Sequence, residues 1–157
     1  MSIEKMYLEV VKGNVYDLDE ANMHTVLITC SGVKANQMPE VEAEFVRKNH
    51  VGSCLHYAMY LIKLLHDAGI KAYLTTTPEE DGAMHASVLY FDEKGDKHIA
   101  DPGADIKEGT FTEHMCIDYD EFVREAIRNE IAHYDLYGNY GEEEFFGSKF
   151  LRECKLE

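Results

Sequence analysis

The longest regular pattern of apolar residues in the chain covers residues 53–68 and has the period of an α-helix. Five apolar residues recur there at intervals of three or four positions: Leu55, Ala58, Met59, Ile62 and Leu65. Residues with this spacing lie on one face of a helix. Ser53 and Gly69 flank the pattern and are typical of residues that cap a helix at its start and just beyond its end. The pattern therefore predicts one helix with an apolar face directed toward a core.

The residues after this helix predict a strand followed by an antiparallel hairpin. The segment IKAYLTTT, residues 70–77, is rich in the β-branched and aromatic side chains that favour strands. The segments MHASVLYF (84–91) and KHIADPG (97–103) flank the turn DEKGD, whose glycine is typical of a hairpin connection. If residue 91 faces residue 95, then His85 faces Asp101 on the neighbouring strand.

Three further segments are predicted to be helical. The segment MPEVEAEFVRKN, residues 38–49, has a proline in its first turn, where proline is tolerated. The segment LDEANMHTVLITC, residues 18–30, would be capped near Asp17 or Asp19, since aspartate is a residue type that caps helices. Asp118 is a candidate N-cap for a helix over 122–134. Helices that come before and after the strands of a predicted antiparallel sheet along the chain indicate an α+β fold.

Composition and charge narrow the classes of function. The chain has 157 residues, of which 45% are hydrophobic and 29% charged, as in soluble globular proteins, and its length suits one domain spanning residues 1–157. Fifteen Lys and Arg against thirty Asp and Glu give a net charge of −15 at pH 7. Such a surface repels phosphates, so we expect neither nucleic acid nor membrane as a partner.

The cysteines and the N-terminal segment bear on the compartment. The segment MSIEKMYLEVVKGNVYDLDE has charges every few residues and lacks the apolar core of a signal peptide. No segment approaches the ~20 apolar residues of a membrane-spanning helix, and we expect a cytoplasmic protein. No pair of cysteines has the CxxC spacing of zinc or thioredoxin motifs, so most are expected to be free thiols. The four are Cys30, Cys54, Cys116 and Cys154.

Three residue types that together support nucleophilic catalysis are placed at the ends of predicted elements. Cys54 lies at the start of the predicted helix over 53–68, where backbone N–H groups and the helix dipole favour a thiolate. The same N–H groups can bind the oxyanion of a tetrahedral intermediate. His85 begins a strand, and Asp101 ends the next one. A carboxylate beside a histidine fixes its tautomer and stabilises its protonated form.

These residues stand in a recognisable order. The segments VGSCLHYAMYLIKLLHDAGIKAYL and MHASVLYFDEKGDKHIADPGAD resemble the transglutaminase-like superfamily, which shares a papain-like fold with the arylamine N-acetyltransferases. The shared features are Gly-x-Cys at a helix start, an apolar helix ending in Ala-Gly-Ile, a strand headed by His, and Asp-Pro after the next strand. The resemblance covers residues 50–106. It implies a papain-like α+β fold, in which N-terminal helices include the nucleophile helix and pack on an antiparallel β-sheet.

The resemblance also implies a catalytic triad that acts through a thioester. Cys54 would be the nucleophile, His85 the general base and acid, and Asp101 the orienting carboxylate. Family members often have a tryptophan near the site, and this chain has none. The second oxyanion donor is therefore open, with the amide side chains of Asn49 and Gln37 as candidates. The implied chemistry requires no cofactor, and the sequence matches no zinc-binding motif, so we expect no metal.

The predicted function is thiol-dependent acyl transfer on an amide or peptide, as a cysteine peptidase or amidase or as a transglutaminase-type enzyme. We expect a peptide or protein substrate, with a small amine as acceptor in the transferase case. Hydrolysis is favoured because water needs no second binding site. Substrate identity and oligomeric state stay open. The alternative is an inactive member of the fold that binds a peptide or protein. Acetyl transfer from coenzyme A is disfavoured because the donor phosphates would meet an acidic surface.

Each triad member also has an ordinary structural explanation. Cysteine is among the most buried residue types, a strand-end histidine is often paired with a neighbour, and Asp-Pro-Gly is a common turn. Only the ordered set favours catalysis. His56 is expected to be exposed or beside the site, because helical residues two apart do not share a face. Four other histidines are expected at the surface: His66, His98, His114 and His133.

Overall fold

The described residues form a mixed α+β fold. The computed structural model describes residues 2–19, 33–79, 81–126 and 131–138. Helices in these ranges are α1 (Ile3–Val11), α2 (Met38–Asn49), α3 (Cys54–Asp67), α4 (Pro102–Glu108) and α5 (Tyr119–Glu125). Strands are β1 (Val15–Tyr16), β2 (Val51–Gly52), β3 (Ala72–Pro78), β4 (Met84–Phe91), β5 (Lys97–Ala100), β6 (Ile117–Asp118) and β7 (Ala132–Tyr134).

The strands β3 to β7 form one antiparallel sheet in the order β6-β5-β4-β3-β7. The short strands β1 and β2 form a separate parallel pair. Helix α3 lies against β3 and β4 and also contacts α1, α2 and α4. Its apolar residues join those helices and the inner side of the sheet in the main core. Helix α3 is therefore held by several elements at once.

Helix α3 confirms the clearest sequence prediction. It begins at Cys54, has Ser53 as N-cap, and is followed by Gly69 in the left-handed conformation with φ of 76°. Four of the predicted inward residues are buried: Ala58, Met59, Ile62 and Leu65. Because helices pack on the side away from the sheet, tyrosines on other faces of α3 are buried as well. Helix α2 has the predicted bounds, 38–49.

The predicted hairpin forms, but its strand register differs from the prediction. Phe91 pairs with Lys97, not with residue 95. The connecting loop is longer because Asp92 organises it: its side chain accepts backbone N–H groups of Lys94 and Asp96, each at 2.9 Å. Pairing therefore ends with Val88 opposite Ala100. The direct pairing of His85 with Asp101 is wrong, although a shift of two residues keeps every side chain on its predicted face.

Among the described residues, the segments before α2 and after β6 differ most from the predictions. Helix α5 begins after the predicted N-cap Asp118, which accepts the Glu121 N–H at 3.0 Å. It ends at Glu125, and residues 132–134 form strand β7, so the predicted helix over 122–134 is wrong at 132–134. Helix α1 had no counterpart among the predictions. The predicted helix over 18–30 lies almost wholly outside the described residues.

Two further findings concern the cysteines and the helices of the described residues. Cys30 and Cys154 lie outside the described residues, and the two cysteines within them, Cys54 and Cys116, are free thiols. Among the described residues, we find no helix with the length and apolar character needed to cross a membrane.

Candidate active site

The start of helix α3 places Cys54 next to the start of α4. Cys54 is the first residue of α3 and is partly buried. Gly103, in the first turn of α4, lies so close that an added Cβ would be 2.9 Å from the Cys54 Cα. The contact is between backbones, so a side chain at position 103 would clash with Cys54. The glycine thus allows α4, and Asp101 before it, to approach the cysteine.

His85 and Asp101 are in direct contact although they are not opposite each other in the sheet. The His85 Nε2 atom is 2.5 Å from the Asp101 Oδ2 atom. Asp101 is the N-cap of α4, and its other carboxylate oxygen accepts the Ala104 N–H at 3.1 Å. Its backbone N–H donates to the His114 carbonyl at 2.8 Å. Asp101 therefore serves both as the predicted partner of His85 and as a helix cap.

The buried carboxylate of Asp105 helps to fix the position of Asp101. Asp105 is fully buried and accepts hydrogen bonds from the hydroxyl groups of Tyr7 and Thr110. It also accepts the backbone N–H groups of Glu113 and His114, at 3.1 and 3.0 Å. These bonds fix the segment whose His114 carbonyl holds the Asp101 N–H. Asp105 is therefore a positioning residue for Asp101.

The thiol of Cys54 and the imidazole of His85 form an interacting pair. Burial alone would raise the pKa of Cys54, but hydrogen bonds from His85 and the Ala86 N–H, with the charge of His85, lower the pKa overall. Burial would lower the pKa of His85, and its hydrogen bonds with Asp101 and Cys54 instead raise the pKa to about 10. Both shifts favour a thiolate beside a protonated imidazole at neutral pH.

Tyr16 is a site residue that the sequence analysis did not name. The Cys54 N–H donates to the Tyr16 hydroxyl oxygen at 3.3 Å, and the hydroxyl group also hydrogen-bonds the thiol. Pairing of Tyr16 with Gly52 between β1 and β2 fixes this position. Burial and the nearby Cys54 charge raise the pKa of Tyr16 to about 12, so its hydroxyl keeps its proton. No sequence pattern signals this contact, because β1 is two residues long and lies 38 positions before Cys54.

The two oxyanion candidates from the sequence make their hydrogen bonds elsewhere. The Asn49 side chain is exposed, and its Nδ2 donates to the Phe45 carbonyl of its own helix at 2.9 Å. The Gln37 side chain accepts the Lys34 N–H at 3.1 Å in the turn before α2. In the described part of the chain, the side chain hydrogen-bonded to the Cys54 amide is that of Tyr16.

A buried polar chain anchors the residue before Cys54. His56 is 1% exposed, so of the two expected positions, exposed or beside the site, the exposed one is wrong. Its Nδ1 is 2.9 Å from the Ser53 hydroxyl, and its Nε2 is 2.8 Å from the Glu42 carboxylate on α2. Both ring nitrogens of His56 therefore face residues other than Cys54. Within the described residues, no group of three or more potential ligands is arranged to hold a metal ion.

An acidic cavity adjoins the histidine. It has a volume of about 600 Å³ and is lined in part by the carboxylates of Glu79, Asp81 and Glu125. The Glu79 Oε1 atom is 3.5 Å from the His85 Nδ1 atom. The cavity also includes Pro78 and Phe122, which supply apolar surface. A ligand in this cavity would lie next to Glu79, the neighbour of His85, and would meet negative charge.

Comparisons with known proteins give one structural likeness. No family model and no curated protein matches the sequence. A solved structure described as "Crystal structure of a TGase" superimposes on 79% of this chain with a TM-score of 0.45 and 16% sequence identity. The chain spans 29% of the length of that structure.

Proposed function

We propose that the protein is a thiol-dependent acyl-transfer enzyme in which Cys54, His85 and Asp101 form the catalytic triad. The observation that carries the proposal is their arrangement: the thiol at a helix start interacts with His85, and His85 contacts Asp101 at 2.5 Å. Each feature has an ordinary explanation alone. The pairing of a lowered Cys54 pKa with a raised His85 pKa is what a working thiolate requires.

The reaction proceeds in two steps. The Cys54 sulfur attacks the carbonyl carbon of an amide and forms a C–S bond, and the electron pair of the C=O bond moves to oxygen. When this intermediate collapses, the C–N bond breaks and the amine leaves with the proton of His85. The product is a thioester on Cys54. Water or an amine then attacks the thioester, His85 takes the proton of the nucleophile, and the thiolate is released.

Two groups are placed to stabilise the oxyanion. The first is the Cys54 N–H at the start of α3, and the second is the protonated hydroxyl group of Tyr16. In the free enzyme these two groups bind each other. An oxyanion that accepts the Cys54 N–H would displace the hydroxyl oxygen, which can then turn and donate.

The substrate is proposed to be a peptide or protein, and hydrolysis is the favoured outcome because water needs no binding site of its own. An amine acceptor for the transferase outcome would be protonated in solution. The carboxylates of the cavity beside His85 would attract it. Acylation of the protein by an activated ester, followed by competition between water and a primary amine, separates the two outcomes.

The first test measures iodoacetamide labelling against pH, with each cysteine quantified by peptide mass spectrometry. We expect Cys54 to be labelled with an apparent pKa below the ~8.5 of a free thiol. His85→Ala should move this midpoint upward, because the lowered pKa depends on the imidazole. His66→Ala, at an exposed position of α3, is the matched control and should change nothing.

Two outcomes would contradict the proposal. Labelling of Cys54 at the same rate in the His85→Ala protein would mean that the histidine does not activate the thiol. Protection of Cys54 until the protein unfolds would mean a structural thiol. Either result would favour the alternative function, a module that binds a peptide or protein without catalysis.

A further inference from the structure

A second cysteine, histidine and aspartate interact at the other end of strand β5. Cys116 precedes β6, His98 lies on β5, and Asp92 begins the loop between β4 and β5. The Cys116 Sγ atom is 3.5 Å from the His98 Nδ1 atom, and the His98 Nε2 atom is 2.8 Å from the Asp92 Oδ2 atom. We propose that His98 activates Cys116 as a site of reversible oxidation by hydroperoxides, separate from the triad around Cys54.

The carboxylate of Asp92 fixes the tautomer of His98. A carboxylate oxygen accepts a hydrogen bond, so the Nε2 atom of His98 carries the proton. In the neutral ring, Nδ1 is then the unprotonated nitrogen, and it faces the sulfur of Cys116. A hydrogen bond from His98 lowers the pKa of Asp92, which therefore stays ionised across the neutral range. His98 is thus held as a base toward the thiol.

The surroundings of Cys116 combine access with hydrogen bonding. Cys116 is exposed, whereas Cys54 is partly buried. The Tyr90 hydroxyl donates to the carbonyl of Met115, the residue before Cys116, at 3.2 Å. Burial, together with the interaction with Cys116, raises the pKa of Tyr90, so the hydroxyl keeps its proton. The pairing of Tyr90 with His98 between β4 and β5 holds these groups together. An exposed thiol with a base beside it is suited to reaction with a small oxidant.

The chemistry requires one oxidant and one reductant, both small. The thiol proton passes to His98 Nδ1, and the sulfur attacks the outer oxygen of the hydroperoxide. The O–O bond breaks, a sulfenic acid forms, and water or an alcohol leaves with the proton. Sulfur is oxidised by two electrons and the peroxide is reduced by two. A small thiol then displaces water from the sulfenic acid and forms a mixed disulfide, which a second thiol reduces.

A metal ion does not explain this cluster as well as a reactive thiol does. Cys116 and Asp92 contact opposite nitrogens of one imidazole ring. Their donor atoms therefore point at the ring and not at a common centre, whereas a metal needs its ligands to converge. The order of nucleophile, base and carboxylate is instead the order found around Cys54.

The test treats the intact protein with hydrogen peroxide in the presence of dimedone, which traps sulfenic acids. Peptide mass spectrometry gives the trapping rate at each cysteine. We expect rapid trapping at Cys116 and a fall of about tenfold or more in Asp92→Asn. The asparagine keeps the Oδ1 acceptor that binds Lys94 and Asp96 in the loop. Its amide, however, donates to Nε2 and reverses the tautomer of His98, so Nδ1 can no longer take the proton.

Asp96→Asn is the matched control, because it removes one charge from the same loop without touching His98. His98→Gln provides a second variant, and circular dichroism together with unchanged iodoacetamide labelling of Cys54 reports that each variant is folded. Equal trapping at Cys116 in wild type, Asp92→Asn and His98→Gln would show that exposure alone sets the rate and would overturn the proposal. Absence of trapping at Cys116 in the wild type would overturn it as well.

Discussion

The hydroxyl group of Tyr16 interacts with both reactive parts of Cys54, its backbone N–H and its thiol. With the pKa of Tyr16 raised to about 12, the hydroxyl is a donor throughout the neutral range. The chain has no tryptophan, so an indole N–H cannot supply the second oxyanion donor. A phenol that reaches the same backbone amide from a neighbouring strand meets the same chemical requirement.

The variant Tyr16→Phe tests this role. The ring keeps its packing, and the hydroxyl alone is lost. We expect kcat for hydrolysis of an activated ester to fall by about 100-fold, the loss typical of removing one oxyanion donor, with little change in KM. The loss of a hydrogen bond to the thiol should also raise the pKa of Cys54 in the labelling assay.

Tyr60→Phe is the control for the missing hydroxyl. Tyr60 lies on α3, the helix that begins at Cys54, but its hydroxyl contacts Glu9 and Arg47 away from the thiol. Its kcat should equal that of the wild type. A faster reaction in Tyr16→Phe would contradict the donor role and would mean that the hydroxyl obstructs the Cys54 N–H.

At the scale of the elements, the sequence predicted those whose signals are local. Helix α3 has a continuous apolar period with caps at both ends, and the hairpin of β4 and β5 is bounded by a turn. The sequence also placed Cys54, His85 and Asp101 at element ends, which the structure brings together. The hairpin register failed because the hydrogen bonds of Asp92 lengthen the loop, a tertiary detail that the pattern does not contain.

Elements that depend on pairing with distant parts of the chain could not be predicted from the sequence. Strand β7 is three residues long and forms only because β3 offers an edge, with His133 opposite Thr75. Within the local pattern, the same residues continue a helical period. The expected surface position of His133 is wrong for the same reason, since its partner Thr75 lies on β3 and the histidine is 5% exposed. His98 is partly buried, between Asp92 and Cys116.

The packing of α4 on α3 is the element contact on which the site depends most directly. In Gly103→Ala, the new Cβ would lie 2.9 Å from the Cys54 Cα and 3.1 Å from its Cβ. We expect a loss of about 1–3 kcal/mol in the free energy of unfolding, as for other overpacked contacts. Displacement of α4 should also separate Asp101 from His85 and slow iodoacetamide labelling of Cys54. Urea unfolding and the labelling assay measure the two effects.

Ala104→Ser adds one atom at the next position of the same helix and is the control. Ala104 is partly exposed, and its backbone N–H to Asp101 is retained. Its free energy of unfolding and its rate of Cys54 labelling should both match those of the wild type. If Gly103→Ala labels Cys54 as rapidly as the control does, close contact between the two helix starts is not needed for thiol activation.

At the scale of the whole molecule, two histidines with oppositely shifted pKa values lower the stability on opposite sides of neutral pH. Burial, with a contribution from the Lys97 charge, lowers the pKa of His133 to about 4, whereas Asp101 and Cys54 raise that of His85 to about 10. The ordinary value for both is near 6.5. Below pH 6.5 the unfolded chain binds a proton at His133 that the folded chain does not. Above pH 6.5 the folded chain keeps a proton at His85 that the unfolded chain releases.

The contribution of these two groups to the free energy of unfolding should therefore be greatest near pH 6.5. The variant His133→Gln removes the part of the stability loss below pH 6.5 that is due to His133. A pKa of about 4 against 6.5 corresponds to about 3 kcal/mol lost between those pH values. The net charge of −15 shrinks over the same range and relieves repulsion, which opposes the loss in both proteins equally. The difference between wild type and His133→Gln in urea unfolding at pH 7 and pH 4.5 removes this common effect. We expect the wild type to lose more stability than the variant on acidification. Equal losses would contradict this and would show that His133 binds its proton as readily in the folded protein as in the unfolded chain.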